Sequence, residues 1–415
     1  MPAAEMTTAA PSRPPERRLI RLLGPAFVAA IAYVDPGNVA ANLTAGAKYE
    51  YLLIWVLVAA NATAVVVQYL SAKLGLVTGR TLPELLGDRL PRAGRLAFWA
   101  QAEIVAAATD LAEVIGGAVA LQILFGIPLL AGGVLVGVIS IAILALQSAR
   151  GQRTFEAVVM ALLAVITVGF VAGVVVSPVD WGAAAEGLVP RFRDSGSVLL
   201  AASMLGATVM PHAIYLHSAL ARDRHGTTKD PVRLRHLLRA TRLDVVLALV
   251  VAGSVNIAML LLAASSLSGV AGTDTIEGAH AAIGAALGPV VAAVFGIGLL
   301  ASGLASTSVG AYAGATIMVG LLHVSVPLLA RRVVTLIPAL VVLGIGVDPT
   351  LALVLSQVVL SIGIPFALIP LAVLTSRRTV MGEFVNPVPL RVVAVVVSVL
   401  IVALNITLLV LTISA

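Results

Sequence analysis

An aspartate and an asparagine flank a Pro-Gly pair in the run Ile31-Ala32-Tyr33-Val34-Asp35-Pro36-Gly37-Asn38, and a methionine precedes a Pro-His pair in Gly206-Ala207-Thr208-Val209-Met210-Pro211-His212. Carboxylate and amide oxygens are hard ligands that suit any divalent cation. A thioether adds little for Ca²⁺ or Mg²⁺ and more for a transition metal. Proline has no amide hydrogen, collides with the carbonyl four residues before it, and pushes its predecessor out of the helical region. Pro36 therefore breaks an apolar helix beside Asp35 and Asn38, and Pro211 frees the carbonyl of Ala207 beside Met210. Unpaired backbone at membrane depth is tolerated only where it lines a cavity or is buried in protein, so each break points to a site. One carboxylate offsets half of a divalent charge, and the remainder must come from carbonyl dipoles, half-helix ends or movement of a second ion. Taken alone, Met210 reads as a gap-filling core residue; its place in the second break makes it a candidate ligand.

A second constellation, Glu103, Asp110 and Glu113, has spacings of seven and three, which put the carboxyls on one helical face. Each ionised group at the bilayer centre costs at least ~2.5 kcal/mol, so three on one helix are hard to explain as packing. Burial beside like charges suits carboxyls to take up and release protons near neutral pH, as a relay requires. Arg331 and Arg332 are the natural counter-ions, with His212 and His217 close by. The competing reading is a set of internal salt bridges that fix helix register. His212 can donate to a freed carbonyl or shuttle protons, whereas His217 reads as a packed polar group. His225, His236, His280 and His323 lie in loops or at span ends and receive no role. Gln357, Asn256, Ser302, Ser306, Thr307 and Ser308 read by themselves as interhelical hydrogen-bonding residues, and Tyr33, Tyr215 and Trp99 fit interfacial belts or gates equally well.

The elements that must carry these groups are membrane helices. Of the 415 residues, 60% are apolar and 11% charged, against about 25% charged in a soluble domain. Runs of roughly 20 apolar residues fall near 24–46, 51–74, 96–125, 127–148, 155–177, 197–221, 243–266, 287–319, 333–347, 350–375 and 391–413, eleven spans in all. With the N-terminus in the cytoplasm, this count places all of the 26 Lys and Arg except Lys48, Arg191 and Arg193 on the inner side, as the positive-inside rule demands. The C-terminus then lies outside, and an inner (plasma) membrane location follows from the short loops. The net charge of +6 reflects this topology and an affinity for anionic lipid rather than nucleic-acid binding, since aromatics are only 4%. With no cysteine, disulfides and thiolate metal sites are absent.

Breaks in span 1 of a first five and span 6 of a second five predict an inverted-repeat transporter with its site at the bilayer midplane. The chain then divides into a basic cytoplasmic tail (1–23), a first repeat (24–177), a second, inverted repeat (197–375) and an added eleventh helix (391–415).

The Asp-Pro-Gly-Asn of Asp35 to Asn38 and the Met-Pro-His of Met210 to His212 resemble the two signature breaks of the Nramp family of metal transporters, and the resemblance covers nearly the whole chain. It implies an all-α LeuT-type fold and proton-driven uptake of Mn²⁺ and Fe²⁺ by alternating access. The ligand set it implies is Asp35, Asn38, Met210 and the Ala207 carbonyl, joined in some conformations by the Ala32 carbonyl and Gln357. By the same resemblance Asp110 takes the proton released near the metal, and Glu113, Arg331 and Arg332 extend its route inward; the chemistry of the residues themselves adds Asp35, Glu103 and His212 to the pathway. No resident cofactor is expected; metal ions are substrate, protons the coupling ion, and the working unit is a monomer.

The rival within transporters is a Na⁺- or H⁺-coupled amino-acid or amine carrier of the same fold, with Asp35 facing an ammonium. The breaks present acceptors (Asp, Asn, Met), which bind cations rather than a substrate carboxylate. Enzyme signatures such as His-Glu-x-x-His or Gly-x-Ser-x-Gly are missing, and a channel would need a continuous selectivity filter.

Overall fold

The computed structural model describes residues 22–273 and 275–414. Most of the expected basic tail, residues 1–21, lies outside the described residues.

Span 1 is two helices, α1 (Pro25–Ala30) and α2 (Pro36–Tyr49), separated by a 3-10 turn over Ile31–Val34 and an extended Asp35. There follow α3 (Ile54–Thr78), a short α4 (Leu82–Gly87), α5 (Arg92–Phe125), α6 (Leu129–Arg150), α7 (Gln152–Val176) and a short α8 (Trp181–Glu186). Span 6 is likewise divided, into α9 (Ser195–Thr208) and α10 (Pro211–His225). The chain continues through α11 (Pro231–Ser266), α12 (Ile276–Leu287), α13 (Pro289–Leu322), α14 (Leu328–Gly344), α15 (Pro349–Thr375), α16 (Arg378–Met381) and α17 (Val388–Ser414).

Among the described residues nine helical segments are long and apolar enough to cross a membrane, α9 and α10 together (Ser195–His225) counting as one. Span 1, cut by its break, and the 17-residue α14 fall short of that length and bring the crossings to the expected eleven. Boundaries differ where charge hides a helix. The arginine-rich stretch before residue 243 is not a loop: α11 begins at Pro231, capped by Asp230, whose side chain accepts the Val232 N–H. The expected start of span 8 at residue 287 is instead a junction, because Gly288 at φ 94° turns the chain between α12 and α13. The charge pattern places Arg331 and Arg332 with the inner loops, but they sit within α14 and are buried.

The centre of the bundle is α5 against α13. Glycines make the approach possible, since a Cβ at Gly303 would meet the Gly117 backbone at 2.9 Å. Gly116, on α5, faces the Pro36 ring so closely that a Cβ there would overlap it. The break in span 1 is thereby seated directly on the helix that carries Asp110 and Glu113. The exposed side chains of α11 and α17 include Val246, Val250, Val393 and Val396, the apolar exterior expected where lipid is the solvent.

Candidate metal site

Asp35 is the N-cap of α2. Its Oδ1 accepts the Asn38 backbone N–H at 2.8 Å and the Asn38 side-chain amide at 2.6 Å. Proline at the first helical position and a carboxylate at the cap are the usual way to start a helix. Here the start lies in the interior, with Asp35 fully buried and its Oδ2 without a partner among the described residues. A purely structural cap would not leave a buried oxygen of this kind unmatched.

Span 6 supplies the facing half. Pro211 cannot give an N–H to Ala207, and the Ala207 carbonyl instead accepts from the Asn38 side-chain amide at 3.0 Å. Met210, extended at φ −75° and ψ 121°, is buried at the gap between α9 and α10. Pro36 stands in the same relation to Ala32, which is buried in the 3-10 turn. Gln357, on α15, closes a third side: a Cβ on Gly37 would overlap its amide, and both its Oε1 and Nε2 lack partners among the described residues. The structure thus joins Asp35, Asn38 and the Ala207 carbonyl by hydrogen bonds and brings Gln357 against Gly37. Met210 and Ala32 lie at the two breaks.

The other carbonyls freed at the span 1 break are matched by residues that the sequence offers only as generic polar side chains. Asn256 of α11 donates to the Tyr33 carbonyl at 2.7 Å, and Ser302 of α13 donates to that of Val34 at 2.5 Å. Asn42 holds Asn256 in turn, Nδ2 to Oδ1 at 2.8 Å. Their signal was present as lone amides and hydroxyls in apolar runs, but nothing in the sequence says which backbone they face.

The span 3 charges separate into pairs. Arg332 meets Asp110 at 2.7 Å and is also held by Ser140 and Thr307, while Arg331 meets Glu103 at 2.5 Å. The Arg331 guanidinium lies flat on Gly314, where any Cβ would overlap it. Glu113 is buried against Gly310 within electrostatic reach of Asp35, Asp110 and Arg332. Glu113, Asp110 and Glu103 therefore run along α5 away from the Pro36 break, the last two paired to α14, with Thr307, Gly310 and Gly314 of α13 packed against the charges.

The histidines do not join them. His212 is buried with neither ring nitrogen partnered among the described residues. His217 turns to α3, where Gln68 bridges its Nδ1 at 2.7 Å to the Tyr33 hydroxyl at 2.6 Å. Contrary to the expectation from the sequence, His217 does not lie beside the span 3 carboxyls: six residues past Pro211, it has rotated to the α3 side of α10.

The two sides of the site differ. Beyond Asn38, toward the C-terminal end of α2, a cavity of about 330 Å³ is lined by Thr44, Ala47, Lys48, Val270, Gly272 and Thr273. A smaller pocket continues it down α2 to Ala40. At the other end Asp244 of α11 accepts the N–H groups of Gly24 and Ala26 at 3.0 and 2.9 Å, fastening the start of α1. Arg222 pairs with Glu84 and Arg224 with Glu156 at that same end.

Among the described residues no group of three or more His, Cys, Asp or Glu is arranged to hold a metal. The candidate set is of another kind: one carboxylate, two amides, a thioether and backbone carbonyls.

Comparison with known proteins bears on the family and the fold. The family model described as natural resistance-associated macrophage protein-like (Nramp) matches residues 26–411. The chain is 60% identical over 393 residues to the divalent metal cation transporter MntH of Mycobacterium tuberculosis, covering 95% of this chain and 92% of that protein. The crystal structure of the Eremococcus coleocola manganese transporter superposes with a TM-score of 0.86 at 30% identity, over 94% of this chain and 86% of that one. A nucleobase-cation-symport-1 family transporter shares the fold at a TM-score of 0.59 and 16% identity, over 97% and 92% of the two chains. The architecture is accordingly the LeuT type, a five-plus-five inverted repeat with spans 1 and 6 discontinuous, built by a protein that transports rather than catalyses. With its two proline breaks, its apolar exterior and a family match across nearly its full length, the chain is an integral membrane protein of the Nramp family.

Proposed function

We propose that this protein imports divalent transition-metal ions, Mn²⁺ and Fe²⁺, together with protons by alternating access. The observation that carries the reading is the meeting of the two breaks: Asp35, Asn38 and the Ala207 carbonyl share hydrogen bonds beside a buried Met210. The names of the relatives, a divalent metal cation transporter and a manganese transporter, support it.

The Asn38 NH₂ group now satisfies Asp35 Oδ1 and the Ala207 oxygen. An arriving cation takes over that role, and a half-turn of the carboxamide offers Oδ1 to the metal instead. Asp35 supplies the formal charge. The carbonyl ends of α9 and of the turn before Asp35 supply dipoles of the right sign, Met210 favours transition metals over Ca²⁺ and Mg²⁺, and Gln357 and the Ala32 carbonyl complete the shell as the helices close.

Metal enters from the side of the Thr44–Thr273 cavity. By the positive-inside rule that side is extracellular or periplasmic, the N-terminus is cytoplasmic and the membrane is the plasma (inner) membrane. Release toward the cytoplasm requires α1 to leave Asp244. Protons pass from Asp35 to Asp110 and onward by way of Glu113 and Glu103, with Arg332 and Arg331 as fixed counter-charges that stay protonated along the route, and uptake rises as the outer side is acidified. A monomer contains every group this cycle uses.

The test is uptake into proteoliposomes at an inside-negative potential, with internal pH recorded. Mn²⁺ entry accompanied by acidification supports the reading. Entry of an amino acid or amine, with no divalent ion transported, replaces it with the rival carrier.

A further inference from the structure

The helix α11 is too long for the bilayer. Its 36 residues extend about 54 Å at 1.5 Å per residue, against ~30 Å of hydrocarbon. Its buried side runs through Leu234, Leu237, Leu238 and Thr241, and Leu234, Leu237 and Leu238 pack with Leu22 and Leu76. The opposite side holds Arg235, Arg239 and Arg242, all exposed. Their spacing of four and three puts them on a single stripe. Continued along the helix, the stripe reaches Val246 and Val250, which are 37% and 57% exposed. One face of a single helix therefore changes from guanidinium to lipid-facing apolar side chain between residues 242 and 246, which fixes the three arginines at the headgroup level.

No carboxylate of the protein pairs with Arg235, Arg239 or Arg242 among the described residues. Most acidic groups at this end are engaged elsewhere: Glu84 and Asp223 by Arg222, Asp88 by Arg80, Glu156 by Arg224, Asp230 by its helix cap, and Asp244 by Gly24 and Ala26. Glu383, in the turn whose Phe384 packs on this part of α11, forms no ion pair with the three arginines among the described residues. Arg235 spends one N–H on the Pro231 carbonyl, leaving the rest of its fork free. Guanidinium is the side chain best matched to phosphate oxygens.

We propose that the Arg235–Arg239–Arg242 stripe is a binding site for anionic phospholipid headgroups of the adjacent leaflet. The site depends only on α11 crossing the membrane and is independent of what the protein transports. It lies on the helix whose Asp244 fastens α1, so an occupant would brace the part of α11 against which the first helix rests.

The experiment is native mass spectrometry of the full-length protein in detergent, titrated with phosphatidylglycerol and, separately, phosphatidylcholine. A basic side chain near an anionic surface is worth about fivefold in affinity. The wild type should hold phosphatidylglycerol in preference to phosphatidylcholine, Arg239→Gln should weaken it about fivefold, and the triple Gln variant should weaken it by tenfold or more. The triple Lys variant should retain most of the binding, and added salt should weaken the wild type. A control that removes three other exposed arginines at helix ends, R92Q/R150Q/R153Q, should bind as the wild type does. Equal phosphatidylglycerol binding by the triple Gln variant, or an equal loss in the control, would overturn the proposal, the latter by reducing the effect to overall charge. The single Arg239→Gln variant decides the matter should the triple fold poorly.

Discussion

The side-chain amide of Asn38 lies 3.0 Å from the carbonyl oxygen of Ala207, so one hydrogen bond spans the two broken helices at the point where each has lost its own backbone bonding. It couples α2 to the end of α9, and it means that neither half of the proposed site can be altered without disturbing the other.

Asn38→Ala removes this link and one proposed ligand while leaving Asp35 in place. Mn²⁺ affinity should fall roughly 10- to 100-fold, the cost of one hydrogen bond or ligand to a charged centre. Asp35→Asn should abolish binding measured by calorimetry, because the site then has no formal charge. Metal affinity within a few-fold of wild type in Asp35→Asn would sink the site assignment.

Met210→Ala tests selectivity separately from charge. With the thioether gone only oxygen donors remain, so Mn²⁺ uptake should weaken about tenfold while Ca²⁺ or Mg²⁺ gains transport. Competition assays against ⁵⁴Mn²⁺ give the ratio directly. An unchanged ratio would return Met210 to the role of core filler, which its burial alone would also explain.

Asp110→Asn should leave Mn²⁺ binding within about threefold and remove proton movement, because Asp110 has no part in the ligand set yet is paired with Arg332 at 2.7 Å. Removing the other partner is a different experiment. Arg332→Gln strands a buried carboxylate, and thermal unfolding should show a loss of about 3–5 kcal/mol. Proton flux persisting in Asp110→Asn would leave the α5–α14 charges with a structural role only.

Asp244→Ala deprives the Gly24 and Ala26 N–H groups of their acceptors. Two buried donors left unmatched cost about 1–3 kcal/mol each, enough to shift the balance between closed and open inner ends more than fivefold. The natural chain has no cysteine, so a single cysteine introduced at Ala29 reports the opening through its labelling rate. A rate no faster than in the Asp244 parent would argue that other contacts hold α1.

Gly37→Ala places a Cβ on the Gln357 amide and should reduce transport sharply. Gln357→Ala in the same chain should restore part of the Mn²⁺ binding, since it clears the overlap. Strict additivity of the two substitutions would show that the residues do not meet during the cycle.

The breaks were legible in the sequence because proline acts at a fixed distance: Pro36 and Pro211 mark where hydrogen bonding fails, whatever surrounds them. The fold class and the eleven crossings were legible for a similar reason, since hydrocarbon thickness sets a length that composition can be measured against. What escaped depended on rotation and pairing. Nothing in the run around His217 says that it faces Gln68 rather than Glu113, and Asn256 gives no sign that its partner is the Tyr33 carbonyl more than 200 residues away. Hydropathy also reads charge as loop. It hid the first turns of α11 and placed Arg331 and Arg332 outside a bundle in which both are buried.

The proline-to-carbonyl relation also separates the place where a proposed ligand sits from the place where it is encoded. No substitution at Ala207 that keeps the backbone changes its oxygen, whereas replacing Pro211 restores an amide hydrogen that can claim it. The same holds for Ala32 and Pro36. For anyone re-engineering the metal preference, two of the six proposed donors are therefore adjustable only through residues outside the proposed ligand set. A scan that varies only ligand-bearing side chains will report those two positions as inert.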